Sequence, residues 1–339
     1  MLKIVGDINL TDGYFDTGFG VGSKLKQGFN PFQHIDKKPE DCWIGNFEGV
    51  ASETSEKTGN AALQFRVEPQ YLNHLKHFNL YGIANNHAMQ HGANAYQRTF
   101  DYLTSCGCLC FGSNAQKSQV FEHQGRKVTI TGFSQRIDAF SKEPCYWHNP
   151  EYKEIEQEIW QLPEDAFKIV FVHWGNEFIN RPFSQQKRFA HWLVDVGFDL
   201  VIGMHPHVLQ GYEQYQGKYI FYSLGNFVFD MPWEPTKYGA IVSVDLSKDT
   251  IVPKMEYVRI NDEFAPQIVD EKDVPKDFRF DYLNEQLLKE DNSEEYHAEI
   301  SRCYKQYRKA NHKDIAKKML AHPAVIGGTV NDFIKRRLL

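Results

Sequence analysis

Asp7, Glu48, Asn86, His173, His205 and His207 are the residues of this 339-residue chain whose types and placement point to a shared metal site. Each stands at or just beyond a short apolar run. Gly6-Asp7 follows 3–5, Asn46-Phe47-Glu48 follows 42–45, and Asn85-Asn86-His87 follows 80–84. His173 follows 168–172, and His205-Pro206-His207 follows 200–202. Ligands and catalytic groups collect at the carboxyl ends of strands in α/β sheets, so these runs would bring carboxylate, carboxamide and imidazole to one rim. Taken singly, Gly-Asp is an ordinary turn and Asn-Asn-His an ordinary Asx-turn and helix cap. His205-Pro206-His207 is more specific: proline rules out a regular helix, so two imidazoles splay from one rigid turn as neighbouring ligands do. Such mixed donors suit one or two divalent ions, Mn²⁺, Zn²⁺ or Fe²⁺. Ions of this kind activate a bound water near neutral pH, and an imidazole beside them can protonate a leaving group. The remaining histidines at 34, 74, 77, 91, 123, 191, 297, 312 and 322 read as surface or helix residues.

The elements that must position these groups alternate between strand and helix. Helical spacing of Tyr71, Leu72, Leu75 and Phe78 predicts a helix over 68–78. Further helices are expected over 93–103, 151–160 and 184–196, and strands over 80–84, 108–111, 168–172, 200–202 and 219–222. Segments 120–123 and 126–133 read as a hairpin, and 239–246 and 251–260 as two strands with no helix between them. The pattern is a layered α/β domain, parallel early and antiparallel late. A domain over 1–265 would be followed by a charged, mostly helical extension over 266–339. That extension is acidic from Glu285 through Glu290 and Asp291 to Glu299, then basic from Arg302 to Lys318. It reads as a solvated helix pair, or more rarely as a contact for an anionic polymer or membrane.

Composition narrows the function classes. An apolar fraction of 42% with 14% aromatics belongs to a packed protein, and a net charge of −6 argues against nucleic acid as a partner. No apolar run approaches a membrane span. Met1 leads directly into a strand pattern, which predicts no signal peptide and a cytoplasmic location. Cys106, Cys108 and Cys110 alternate as if on one strand face. With Cys42, Cys145 and Cys303 they read as free thiols.

The ordered motifs resemble the CapA-type bacterial capsule and poly-γ-glutamate synthesis proteins, whose fold belongs with the calcineurin-like metallophosphoesterases. The matching residues are Gly6-Asp7, Asn46-Phe-Glu48, Phe65-Arg66, Ala84-Asn-Asn-His87, His173-Trp-Gly-Asn-Glu177, Gly203-Met-His-Pro-His207-Val-Leu-Gln210 and Tyr222-Ser-Leu-Gly-Asn-Phe-Val-Phe229. The resemblance implies a four-layer αββα sandwich. Asp7 and His207 would hold a first metal, Asn86, His173 and His205 a second, with Glu48 between them. It makes His87 the general acid, and Arg66, Glu177, Tyr222 and Asn226 substrate-contacting or supporting positions. Position 9 is Asn where phosphoesterases of this fold have His, which leaves the first site short of a ligand. The implied activity is metal-dependent hydrolysis of a small-molecule phosphoester, or of an amide such as a γ-glutamyl link, in capsule or poly-γ-glutamate metabolism. The alternative is a non-catalytic protein of capsule biosynthesis that binds an anionic polymer or a biosynthetic partner and keeps a vestigial or structural metal site.

Overall fold

Alternation at the N-terminus builds β1 (Leu2–Ile8), which turns Leu2 and Ile4 to one side and Val5 and Ile8 to the other. The computed structural model describes residues 1–14, 17–289 and 293–321. After a short helix α1 (Val21–Leu25) comes β2 (Cys42–Phe47), then a two-residue ladder of β3 (Val50–Ala51) and β4 (Arg66–Val67). The chain continues through β5 (Leu80–Gly82), α2 (Ala93–Ser105) and β6 (Leu109–Phe111). An antiparallel hairpin follows, β7 (Ser118–His123) with β8 (Arg126–Ser134). Next are α3 (Tyr152–Gln161), β9 (Phe167–His173), α4 (Ser184–Asp195) and β10 (Leu200–Met204). The strands end with β11 (Tyr212–Tyr215), β12 (Lys218–Phe221), β13 (Asn226–Val228), β14 (Tyr238–Val244), β15 (Lys254–Ile260) and β16 (Pro266–Val269). Helices α5 (Phe280–Leu287) and α6 (Ser293–Ala321) close the described chain.

Two sheets result. One runs β16-β15-β14-β1-β2-β5-β6, with β13 also on β1; its early strands are parallel and β14 to β16 antiparallel. The other runs β11-β12-β10-β9-β8-β7, parallel at its centre and antiparallel at both edges. Between them lies a core to which Ile4, Ile44, Leu80 and Phe111 come from the first sheet and Val128, Ile169, Ile202 and Phe221 from the second. Outside the first sheet, Tyr96 and Leu103 of α2 pack with Trp43, Phe47 and Tyr81. Outside the second, Ile155 and Ile159 of α3 and Phe189 and Leu193 of α4 pack with Phe133, Val170 and Val172. This is the αββα layering expected, with the C-terminal helices added.

Three local expectations are corrected. Segment 68–78 is not an α-helix but two 3₁₀ turns, Pro69–Tyr71 and Leu75–His77. Leu72, Leu75 and Phe78 are buried at a spacing of three, which the three-residue turn of a 3₁₀ segment satisfies. Cys106 caps α2 and the strand begins at Leu109, so the three cysteines do not share a strand face; all six thiols are free. His91 is neither a surface nor a helix residue: it is buried, bonded to the Gln64 carbonyl and the Ser55 hydroxyl at 2.7 Å each. Glu290, Asp291 and His322 lie outside the described residues.

Candidate metal centre

Strand ends do position the ligand-type residues. Asp7 closes β1, Glu48 follows β2, Asn86 and His87 follow β5, His173 ends β9, and His205 and His207 follow β10. Two glycines make this convergence possible. A Cβ on Gly6 would lie 1.9 Å from the Gly225 carbonyl oxygen, and one on Gly203 would lie 2.1 Å from that of Tyr222. The turn after β10 is held in an uncommon conformation, with φ of 97° at His205 and 59° at His207. Non-glycine residues in this region cost about 1–3 kcal/mol each and persist where surrounding structure imposes them.

The donors meet at close range. His173 Nε2 lies 2.7 Å from Asn86 Oδ1 and 3.1 Å from His205 Nδ1. These are separations of neighbouring ligands on one ion with bonds of about 2.0–2.1 Å. His207 stands 3.5 Å from Asp7 through Nδ1 and 3.7 Å from Glu48 through Nε2. Glu48 belongs to two groups whose ligand atoms all lie within 4.8 Å of one another, one with His205 and His207, the other with Asp7 and His173. A carboxylate common to both groups could serve an ion held by either.

Electrostatics test the fit. Asp7, Glu48, His173, His205 and His207 are all at most 1% exposed. Among the described residues, neither oxygen of Glu48 meets a hydrogen-bond partner. Burial pushes the Glu48 carboxyl well above the usual carboxylate range, and the Asp7 and Glu177 charges add to the effect. Asp7 is raised by burial as well, against the opposing pull of His207 and the Asn46 hydrogen bond. Burial drives His173 and His205 well below the ordinary imidazole value, which keeps them neutral, as ligands must be. Orphaned acceptors of this kind cost free energy without a partner, and a divalent cation satisfies them together. The residues present therefore fit a metal ion.

Other expected residues take distinct places. His87 is stacked on Phe65, ring centroids 3.7 Å apart, with Nδ1 2.7 Å from Gln90 Oε1 and Nε2 3.8 Å from Glu48. Asn226 Oδ1 lies 3.0 Å from His207 Nδ1 while its amide donates to the Thr236 carbonyl, so it orients the His207 ring. Glu177 lines the pocket above the cluster. Arg66 instead binds the Ala62 and Ser52 carbonyls at 2.6 Å each. Tyr222 is buried against Trp174 with its hydroxyl on Glu213 at 2.5 Å, so neither of these two joins the cluster. Asn9 accepts from the Thr11 backbone and hydroxyl through Oδ1, which leaves only its amide nitrogen unpartnered.

The sequence reading assigned no role to Gln90, which orients His87, or to Asn46, whose amide donates to Asp7 at 2.8 Å. Asn46 was legible as the alternate position before Glu48; Gln90 carried only its three-residue spacing from His87. Tyr304, Tyr307 and Arg308 also line the pocket, and nothing in their local sequence marks them.

The chain is thus a layered αββα sandwich that gathers carboxylate, carboxamide and imidazole groups at its strand ends. Residues 1–231 match the model of the bacterial capsule synthesis protein family PGA_cap, and the chain belongs to that family. It is 31% identical to the PGA biosynthesis protein CapA of Bacillus subtilis over 64% of this chain. It is 30% identical to the capsule biosynthesis protein CapA of Bacillus anthracis over 68% of this chain. The match spans 61% of the length of each of these relatives. Among solved structures, a phosphatase from Mycoplasma pneumoniae is similar, with 15% identity and a TM-score of 0.45 over 80% of this chain and 94% of that one.

Proposed function

We propose that this protein is a metal-dependent hydrolase of phosphoesters, working in capsule or poly-γ-glutamate metabolism, with the strand-end cluster as its catalytic centre. One observation carries the reading. The orphaned, buried ligand groups adjoin a pocket of about 330 Å³ whose lining includes both His207 and His87. Asn86, His173 and His205 would hold one ion, Asp7 and His207 another, and Glu48 would serve both. A divalent cation supplies Lewis acidity there, lowering the pKa of water toward neutrality and withdrawing charge from a phosphoryl oxygen. The chain itself supplies the proton path. An amide oxygen only accepts, so the 2.7 Å contact with Gln90 Oε1 holds the proton on Nδ1 of His87 and leaves Nε2 as the basic atom facing the site, where it would take up a proton and pass it on to the leaving oxygen. Phe65 fixes the plane of that imidazole, and Phe178 and Phe229 keep the pocket wall apolar. Likeness to proteins named for PGA and capsule biosynthesis supports a substrate related to that polymer.

A second reading, a polymer- or partner-binding protein with a vestigial site, draws on Asn9. Its carboxamide oxygen is committed to Thr11, so it does not replace a histidine ligand. Metal content and turnover of a phosphoester panel separate the two. Wild-type protein is expected to retain metal and turn over at least one ester. His87→Ala should keep the metal and lose about 10²–10⁴-fold in kcat. His205→Ala should lose both. Metal-loaded wild type that turns over no phosphoester would reject hydrolysis and leave the binding reading.

A further inference from the structure

Helix α6 lies beyond the family-matched residues 1–231, yet it forms part of the pocket wall. It is fastened to the segment that follows the ligand His173. The guanidinium of Arg181, itself 3% exposed, pairs with Glu299 at 3.0 Å. Tyr307 stacks on Phe178 with centroids 4.0 Å apart, and the Tyr304 hydroxyl donates to Glu177. These contacts set Tyr304, Tyr307 and Arg308 in the same pocket as His87 and His207.

The charges in that pocket are unevenly satisfied. Glu177 accepts from Tyr304, and Asp230 accepts from the Gly13 amide at 2.8 Å. Among the described residues no carboxylate pairs with Arg308, whose side chain is exposed at the pocket mouth. A guanidinium presents a planar fork of donors suited to carboxylate or phosphate oxygens. The phosphoryl group of a substrate would be neutralised at the strand-end cluster, so a further cation on the facing helix calls for a further anion.

Resting on the hydrolase reading above, we propose that Arg308 is a specificity-determining residue that binds a second anionic group, carboxylate or phosphate, carried by the phosphoester substrate. Helix α6 thereby makes the pocket selective for doubly anionic esters. The shared αββα machinery acts on the ester, and the appended helix chooses which ester enters.

Binding of three non-hydrolysable probes to the full-length, Mn²⁺-loaded protein tests this: the phosphonate analogues (CH₂ in place of the ester oxygen) of phosphoglycolate, 1,3-propanediol bisphosphate and ethyl phosphate, named below by the esters they replace. Calorimetry on wild type, Arg308→Gln, Arg308→Lys and Lys309→Gln gives the dissociation constants. Wild type should prefer at least one doubly anionic probe over ethyl phosphate, and whichever is preferred identifies the second group. Arg308→Gln should weaken that probe by about 10- to 100-fold while ethyl phosphate stays within about twofold. Arg308→Lys should recover part of the loss, and Lys309→Gln, which does not line the pocket, should behave as wild type. Equal weakening of all three probes, no effect of Arg308→Gln, or no wild-type preference would each overturn the proposal. Turnover is read separately: a preserved Arg308 effect on binding without hydrolysis rejects the catalytic reading and keeps the assignment of Arg308.

Discussion

Glu48 carries two buried oxygens that no donor among the described residues satisfies, and it stands in both groups of ligand-type side chains. Burial pushes its carboxyl well above the usual carboxylate range, which disfavours the charged form, so an isosteric neutral amide is expected to change little in the metal-free protein. With metal the two differ, because only a carboxylate supplies bridging charge. Glu48→Gln is thus expected to leave metal-free stability within about 1 kcal/mol of wild type. Wild type gains about 2.7 kcal/mol at a metal concentration one hundred times its Kd, and the variant should lose most of that gain. Thermal melts with and without chelator measure both. A variant that keeps the full metal-dependent gain would remove Glu48 from the ligand set.

At the scale of the element, the site depends on how closely β10 approaches its neighbours. Gly203 sits where a Cβ would stand 2.1 Å from the Tyr222 carbonyl oxygen and 2.2 Å from Trp174 Nε1, two groups bonded to each other at 2.9 Å. Neither can move without opening the core around Phe189 and Leu193. Gly203→Ala should therefore destabilise by about 2–3 kcal/mol through overpacking, and should lower metal retention because His205 lies two residues on. Denaturant melts and metal content report the two effects; an alanine variant with unchanged stability would show the packing to be looser than the structure indicates. The 3₁₀ turns in 68–78 teach a related lesson about elements. Apolar residues recurring near every third position are compatible with a helix and with successive tight turns, and burial against the first sheet selects the turns.

For the whole molecule, pH acts on stability through histidines that folding holds neutral. Burial pushes both His77 and His91 down to about 4 from an ordinary 6.5. Below 6.5 the unfolded chain takes up protons that the folded chain refuses. The stability these residues contribute is complete above that pH and drains away as pH falls from about 6.5 to about 4. His77→Phe combined with His91→Gln should flatten that fall relative to wild type, measured in chelator so that His173, His205 and His207 add no metal linkage. A double variant with an unchanged slope would exclude these two residues as its source. The same scale explains α6: its tyrosines and Arg308 become part of the pocket only because Arg181, Phe178 and Glu177 hold the helix across it.

Periodicity in the sequence was sufficient for the layers, since alternating strands and amphipathic helices have few ways to bury their apolar faces. Ligand-type residues directly after apolar runs marked the rim where Asp7, Glu48, Asn86, His173, His205 and His207 come together, because a strand end fixes where its next side chain must lie. What those local patterns could not carry was proximity across the chain. Tyr222 and Arg66 sit within the matching motifs, yet their side chains are spent on Glu213 and on backbone carbonyls. Arg308 sits in a run of charges that reads as a solvated face, and it joins the pocket through contacts made more than one hundred residues away. Short-range patterns are written in the neighbouring residues themselves; which distant side chains share a pocket is set by packing, and only the tertiary structure decided it.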